Sequence, residues 1–214
     1  MFLSRILLDP HRAEAREALT NPNVFHGAAE MSLCTAKKDR RILWRVDHEK
    51  EELYLVLLTP KLPELYHITK QFGTEPSYAE VENYAKTLDG LKDGDALRFR
   101  LQANPVKNVM QERGKRGKVQ AITTEGEQKQ WLMDRSEKNG FALNENEFEV
   151  TKSEWQKFTT RSGGKHIVSL IVAVFEGQLT VKDAALFKEA LTKGIGRKKA
   201  YGCGLLTVEK EEKQ

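Results

Sequence analysis

Apolar and polar positions along the chain fall into two passes of one pattern. Residues 2–8 (FLSRILL) read as a strand. Asp9 is a good helix N-cap and Pro10 a good first helical residue, opening a helix that ends near Asn21-Pro22. A second helical stretch covers about 26–38. Residues 41–47 alternate, with Ile42, Trp44 and Val46 on one face and Arg41, Arg45 and Asp47 on the other. Residues 53–59 (LYLVLLT) form a further apolar strand. Ser77 and Glu80 fit a capping box, and Tyr78, Val81, Ala85 and Leu88 recur at helical spacing. Leu97, Phe99 and Leu101 then alternate with Arg98, Arg100 and Gln102, closing a βαββαβ series.

The second pass carries more decoration. Residues 107–118 (KNVMQERGKRGK) suit a loop or hairpin tip. Thr124 and Glu127 offer another capping box, for a helix ending near Asn139-Gly140. Strands are predicted at about 147–150 and 166–175, the latter long and apolar enough to be central. Asp183 caps a helix with Ala184, Phe187 and Leu191 on one side, ending at Lys193-Gly194, and residues 205–208 make the last strand. The expected fold is α+β, two tandem ferredoxin-like (RRM-like) domains at 1–94 and 95–214, with a frayed tail.

Composition narrows the classes. A chain of 214 residues with ordinary aromatic content builds real cores. Two cysteines, Cys34 and Cys203, supply no disulfide framework and read as buried or semi-buried thiols of a reducing compartment. No segment has the length or apolarity of a membrane span or signal-peptide core, so a cytoplasmic protein is expected. The net charge of +4 is too small to name a partner, so local clustering must carry that question.

Three clusters stand out. Residues 107–118 hold Lys107, Arg113, Lys115, Arg116 and Lys118 against the single acid Glu112. Residues 157–166 hold Lys157, Arg161, Lys165 and His166, and residues 193–199 hold Lys193, Arg197, Lys198 and Lys199, both without an acid. Each contains or adjoins glycine, so they read as loops and hairpin tips of a face that tracks phosphates. RNA fits better than sequence-read DNA, because neither a helix-turn-helix nor a zinc-finger pattern is present. The densest motif is GIGRKKAYGCGLL, residues 194–206, in which Gly194, Gly196, Gly202 and Gly204 surround the cations. It lacks the GK[ST] ending of a P-loop, and it runs from helix to strand where nucleotide fingerprints run from strand to helix.

That loop resembles the glycine-rich loop of the CRISPR-associated RAMP proteins, in the form found in the CasE family. RFRLQANPVK (98–107) resembles the family's RFRLRANPxK, with Gln102 at an arginine position, and FEGQL (175–179) resembles its FEGxL. NPNVFH (21–26) resembles its catalytic-loop pattern, with Asn23 and Gly27 where close relatives often carry tyrosine and a polar residue. The resemblance spans the chain. It implies a metal-independent endoribonuclease that cuts precursor CRISPR RNA at the base of repeat stem-loops, leaving a 2′,3′-cyclic phosphate or its 3′-phosphate. It also implies retention of the product among the other Cascade subunits, with no membrane and no small-molecule cofactor.

None of the five histidines makes an HxH, HExxH or HxxxH pair, so a catalytic metal is not expected. RNA cleavage can proceed without one: the 2′-OH attacks the adjacent phosphorus while the protein moves two protons and stabilises phosphate charge. Histidine suits either proton role, its ordinary pKa being about 6.5. The resemblance assigns such a role to His26, as acid or base. Candidates for the second proton carrier are Lys37, Lys199 and water, and Lys199 is equally a candidate for stabilising the phosphorane. His166 reads as an RNA contact. Two other classes stay open: a RAMP-type RNA-binding scaffold without catalysis, and a metabolic enzyme holding a small phosphorylated substrate.

Overall fold

The computed structural model describes residues 1–33, 41–110, 117–160 and 166–210. Its first sheet is built from β1 (Phe2–Leu8), β2 (Leu43–Glu49), β3 (Glu52–Thr59) and β4 (Ala79–Asn83) in the antiparallel order β2-β3-β1-β4. One face of it carries α1 (Ala13–Thr20), α2 (Asn23–Met31) and α3 (Tyr66–Phe72). Ile6, Leu55, Leu57 and the predicted trio Ile42, Trp44 and Val46 pack there against Phe25, Ile68 and Phe72. A short α4 (Ala85–Asp89) leads to the second sheet.

The second sheet is made of β5 (Ala96–Ala103), β8 (Phe141–Ala142), β9 (Phe148–Thr160), β10 (His166–Val181) and β11 (Leu206–Lys210). Its path runs β11-β5-β10, with β8 and β9 both pairing β10. Leu97, Phe99 and Leu101 pack with Trp131 of α5 (Glu125–Ser136) and Phe187 of α6 (Ala184–Lys193). A separate hairpin of β6 (Val106–Val109) and β7 (Lys118–Ala121) leaves the end of β5. Both sheets thus have the ferredoxin-like strand order, and the fold is the tandem one expected.

Several boundaries differ from expectation. Asp9 does not cap α1; its Oδ1 accepts from the His11 N–H at 2.9 Å, a local turn, and the helix starts at Ala13. The second helix begins at Asn23, placing His26 within it, and the expected end at 38 lies outside the described residues. The pattern at 77–88 is not one helix but β4 followed by α4. Every residue of β4 is exposed, and its brief alternation of Ala79 and Val81 with Glu80 and Glu82 is outweighed in the sequence by the helical spacing of Tyr78, Val81, Ala85 and Leu88. With β4 closing the first sheet, residues 96–103 open the second sheet instead of ending the first. Strands β9 and β10 are far longer than predicted and form an arm extending past β5. Asp183 caps α6 as expected, accepting from the Leu186 N–H at 2.9 Å.

The helix-free faces of the two sheets meet at a seam. Arg45 and Asp47, predicted on the polar face of β2, are 3% and 4% exposed, because that face is covered by the second sheet. Arg45 grips both Asp47 oxygens, at 2.7 and 2.8 Å. It also reaches across to the Leu205 carbonyl at 3.2 Å and the Thr207 hydroxyl at 2.8 Å. Arg100 ion-pairs with Asp47 at 3.0 Å and with Glu176. Removing two charges from water is tolerable only when geometry and extra hydrogen bonds are this complete.

Candidate nucleic-acid interface

The glycine turn joins α6 to β11. Ile195 N–H donates to the Gly204 carbonyl at 2.9 Å and Gly204 N–H to the Gln102 carbonyl at 2.6 Å, pinching the turn at its neck. The Gln102 side chain donates to the Gly202 carbonyl at 2.7 Å. The residue at the resemblance's arginine position therefore fastens this turn. Gly202 has φ +78° and lies against the Trp44 ring, where a Cβ would meet Cζ3 at 3.0 Å. Between these bonds, the N–H groups of Gly196, Arg197 and Lys198 meet no acceptor among the described residues.

Three other elements converge on this turn. Helix α2 runs against its 3₁₀ portion, Lys199–Tyr201. The residue before His26, Phe25, packs its ring on Trp44 (centroids 5.7 Å apart), which is the same ring that holds Gly202. The β9–β10 arm stacks Phe158 edge-on against Tyr201, 5.0 Å between centroids, over the buried Cys203. On the remaining side, a cavity of about 360 Å³ is shared by Gly196 and Arg197 with Lys107 of the β6–β7 hairpin.

His26 has its Nδ1 buried with no partner among the described residues, while Nε2 sits 3.8 Å from a Glu30 carboxylate oxygen. Its side chain is 29% exposed, enough to reach a bound polymer. Lys199 donates to the Gly196 carbonyl at 2.6 Å, and burial, with the charge of Arg41 second, lowers its ammonium pKa. Burial pushes the Cys203 thiol up to about 12, which leaves it a packing group. Cys34 lies outside the described residues.

The remaining predicted contacts separate by position. Arg197 and Lys198 are exposed on the turn, and Gly194 closes α6. Lys107 is held by Glu127 at 2.6 Å, and Lys118 is exposed at the start of β7. Lys157 on β9 and His166 on β10 are exposed near the tip of the arm. Lys37, Lys115, Arg116, Arg161 and Lys165 lie outside the described residues. Among the described residues, no group of His, Cys, Asp and Glu is placed to hold a metal ion. None of the described helices is long and apolar enough to cross a membrane.

Sequence reasoning missed Trp44, Gln102, Trp131 and Arg135 as neighbours of these cations. Only Gln102 carried a signal, as a departure from the pattern at 98–107.

Comparison with known proteins agrees with this geometry. A family model described as CRISPR associated protein matches residues 1–210. The CRISPR-associated endoribonuclease Cse3 of Thermus thermophilus is 30% identical over 224 residues, covering 97% of this chain and 99% of that one. The CRISPR system Cascade subunit CasE of Escherichia coli is 30% identical over 156 residues, 68% of this chain and 75% of its own. A solved structure of CRISPR endoribonuclease Cse3 bound to 19 nt RNA superposes with TM-score 0.82 at 27% identity, covering 98% of this chain and 100% of that one.

Proposed function

The chain belongs to the CRISPR associated protein family, and from that premise we propose that it is an endoribonuclease that processes CRISPR repeat RNA. The RNA stem-loop is its substrate, and the other Cascade subunits are the partners with which it retains the product. The observation that carries this reading is the convergence of the His26 helix, the arm and the hairpin on one glycine turn whose Arg197, Lys198 and Lys199 make no ion pair among the described residues. The two ferredoxin-like domains are assigned to residues 1–94 and 95–214, a division no strand crosses. The cytoplasm, where such transcripts are made, is its place of action.

Chemically, phosphates lie along Arg197, Lys198 and the free N–H groups of the turn, continuing to Lys107 and Lys118 on one side. On the other they continue to Lys157 and His166, and the sequence assigns RNA contacts to Lys115, Arg116, Arg161 and Lys165 as well. Paired and single-stranded RNA present the same anionic backbone to such a track. The scissile 2′-OH attacks its own phosphorus, the new P–O bond forms as the 5′-oxygen leaves, and a 2′,3′-cyclic phosphate results. His26 exchanges a proton through Nε2, its buried Nδ1 being turned away from solvent. The Lys199 ammonium offsets charge on the phosphorane.

The test is incubation of the protein with the repeat RNA of its own organism in excess EDTA. Cleavage should persist in EDTA and should cease when deoxyribose replaces the ribose at the cut. Loss of activity in EDTA, or cutting of the deoxy substrate, contradicts the mechanism.

A further inference from the structure

The cavity beside the glycine turn is more mixed in chemistry than a phosphate track requires. Helix α5 presents Glu127, Gln130, Trp131 and Asp134 to it, a stripe at i, i+3, i+4 and i+7. Asn108 of the β6–β7 hairpin and Arg197 of the turn close the other sides. A bare phosphate entering here would meet carboxylates: Asp134 and Glu127 both line the space, and Lys107 is already bound to Glu127.

A neutral heterocycle with donors and acceptors on its edge matches the amides of Asn108 and Gln130 and the carboxylate of Asp134. Gln130 is pre-set for this, its Nε2 donating to Asp134 Oδ1 at 2.7 Å. The Arg135 guanidinium sits over the Trp131 ring, 4.1 Å from its centroid, and Phe175 stacks on the same indole, 6.1 Å away at 18°. This places a guanidinium at the wall of the cavity, and guanidinium planes stack on bases. Burial, with a smaller contribution from the like charge of Arg197, lowers the Arg135 pKa against the opposing pull of Asp134. Trp131 is 3% exposed, and its indole N–H has no acceptor among the described residues. The volume of about 360 Å³ suits a single nucleotide.

We infer that this cavity is a nucleobase pocket, which receives one unpaired base of the bound RNA beside the phosphate track. The inference rests on the RNA-processing reading above and adds a base-specific site to it.

Equilibrium binding tests it, using the full chain, its repeat hairpin RNA, and a series of the same RNA each carrying one abasic nucleotide. Gln130→Ala should weaken binding of intact RNA about five- to tenfold, in the range of one base-edge contact. Trp131→Phe keeps an aromatic ring but loses the indole N–H and part of the ring volume in the buried wall, and should weaken it by a smaller factor, with the melting temperature as the check on folding. At one abasic position the wild type should lose the same factor, and neither variant should lose more. The slope of affinity against salt should not change. A loss that persists at every abasic position overturns the pocket, as does a slope reduced by about one unit, which marks a phosphate contact. Wild-type protein that binds no repeat hairpin overturns both readings; wild-type protein that binds and cuts without any coupled position overturns this one alone.

Discussion

The seam between the sheets and the glycine turn both gather cations, and they dispose of the charge in opposite ways. At the seam every arginine has an acid: Arg45 holds Asp47 through two bonds, and Arg100 lies between Asp47 and Glu176. At the turn Lys199 bonds only a carbonyl, and Arg197 and Lys198 make no ion pair among the described residues, though Arg197 shares a cavity with Asp134 and Glu127. Neutralised charge under a second sheet fixes two domains against each other. Cations left without acids around exposed N–H groups remain available to a polyanion. A count of basic residues does not separate the two; the placement of the acids does.

The comparison breaks most visibly at Asp47. Asp47→Ala leaves the buried Arg45 without its acid, while Arg100 keeps Glu176, and should cost about 3 kcal/mol, a melting temperature lower by about 6–12 °C. RNA affinity per folded molecule should hardly change. If instead affinity falls and the melting temperature stays, the seam is part of the interface and the contrast is false.

Gly202→Ala probes the turn from the packing side. Its positive φ and the Trp44 ring should together cost about 2 kcal/mol, or about 4–8 °C by thermal melting. Because Trp44 also supports Phe25, cleavage should drop further than the unfolded fraction accounts for. A rate loss that matches the unfolded fraction would sever the link between the turn and the His26 helix.

The smallest effect is in pH dependence. With its pKa lowered by burial, Lys199 loses its charge at lower pH than an ordinary lysine. The cleavage rate should therefore decline on the alkaline side as pH rises through that value. Lys199→Arg keeps the charge and should move the decline upward; an unchanged profile removes Lys199 from phosphorane stabilisation.

What could be read from the chain was what short-range physics decides. The α6 cap is complete within four residues, Asp183 to Leu186, and the alternation of β5 states its own burial. Strand β4 was invisible because its apolar alternation, Ala79 and Val81, is too short to stand out, and Ser77 and Glu80 imitate a helix start. Arg45 and Asp47 looked solvent-facing because nothing in residues 41–47 reports the sheet that covers them. The basic clusters and His26 were legible as local patterns or a resemblance. Their meeting at one turn was not, since it depends on Trp44, Tyr201 and Trp131 as packing intermediaries.

The central claim is that His26 and the glycine turn act on the same phosphodiester. Measuring single-turnover cleavage and hairpin affinity side by side for His26→Ala tests it most directly. The account predicts cleavage slower by at least about 100-fold with affinity within a few-fold of wild type. Cleavage at the wild-type rate would contradict it.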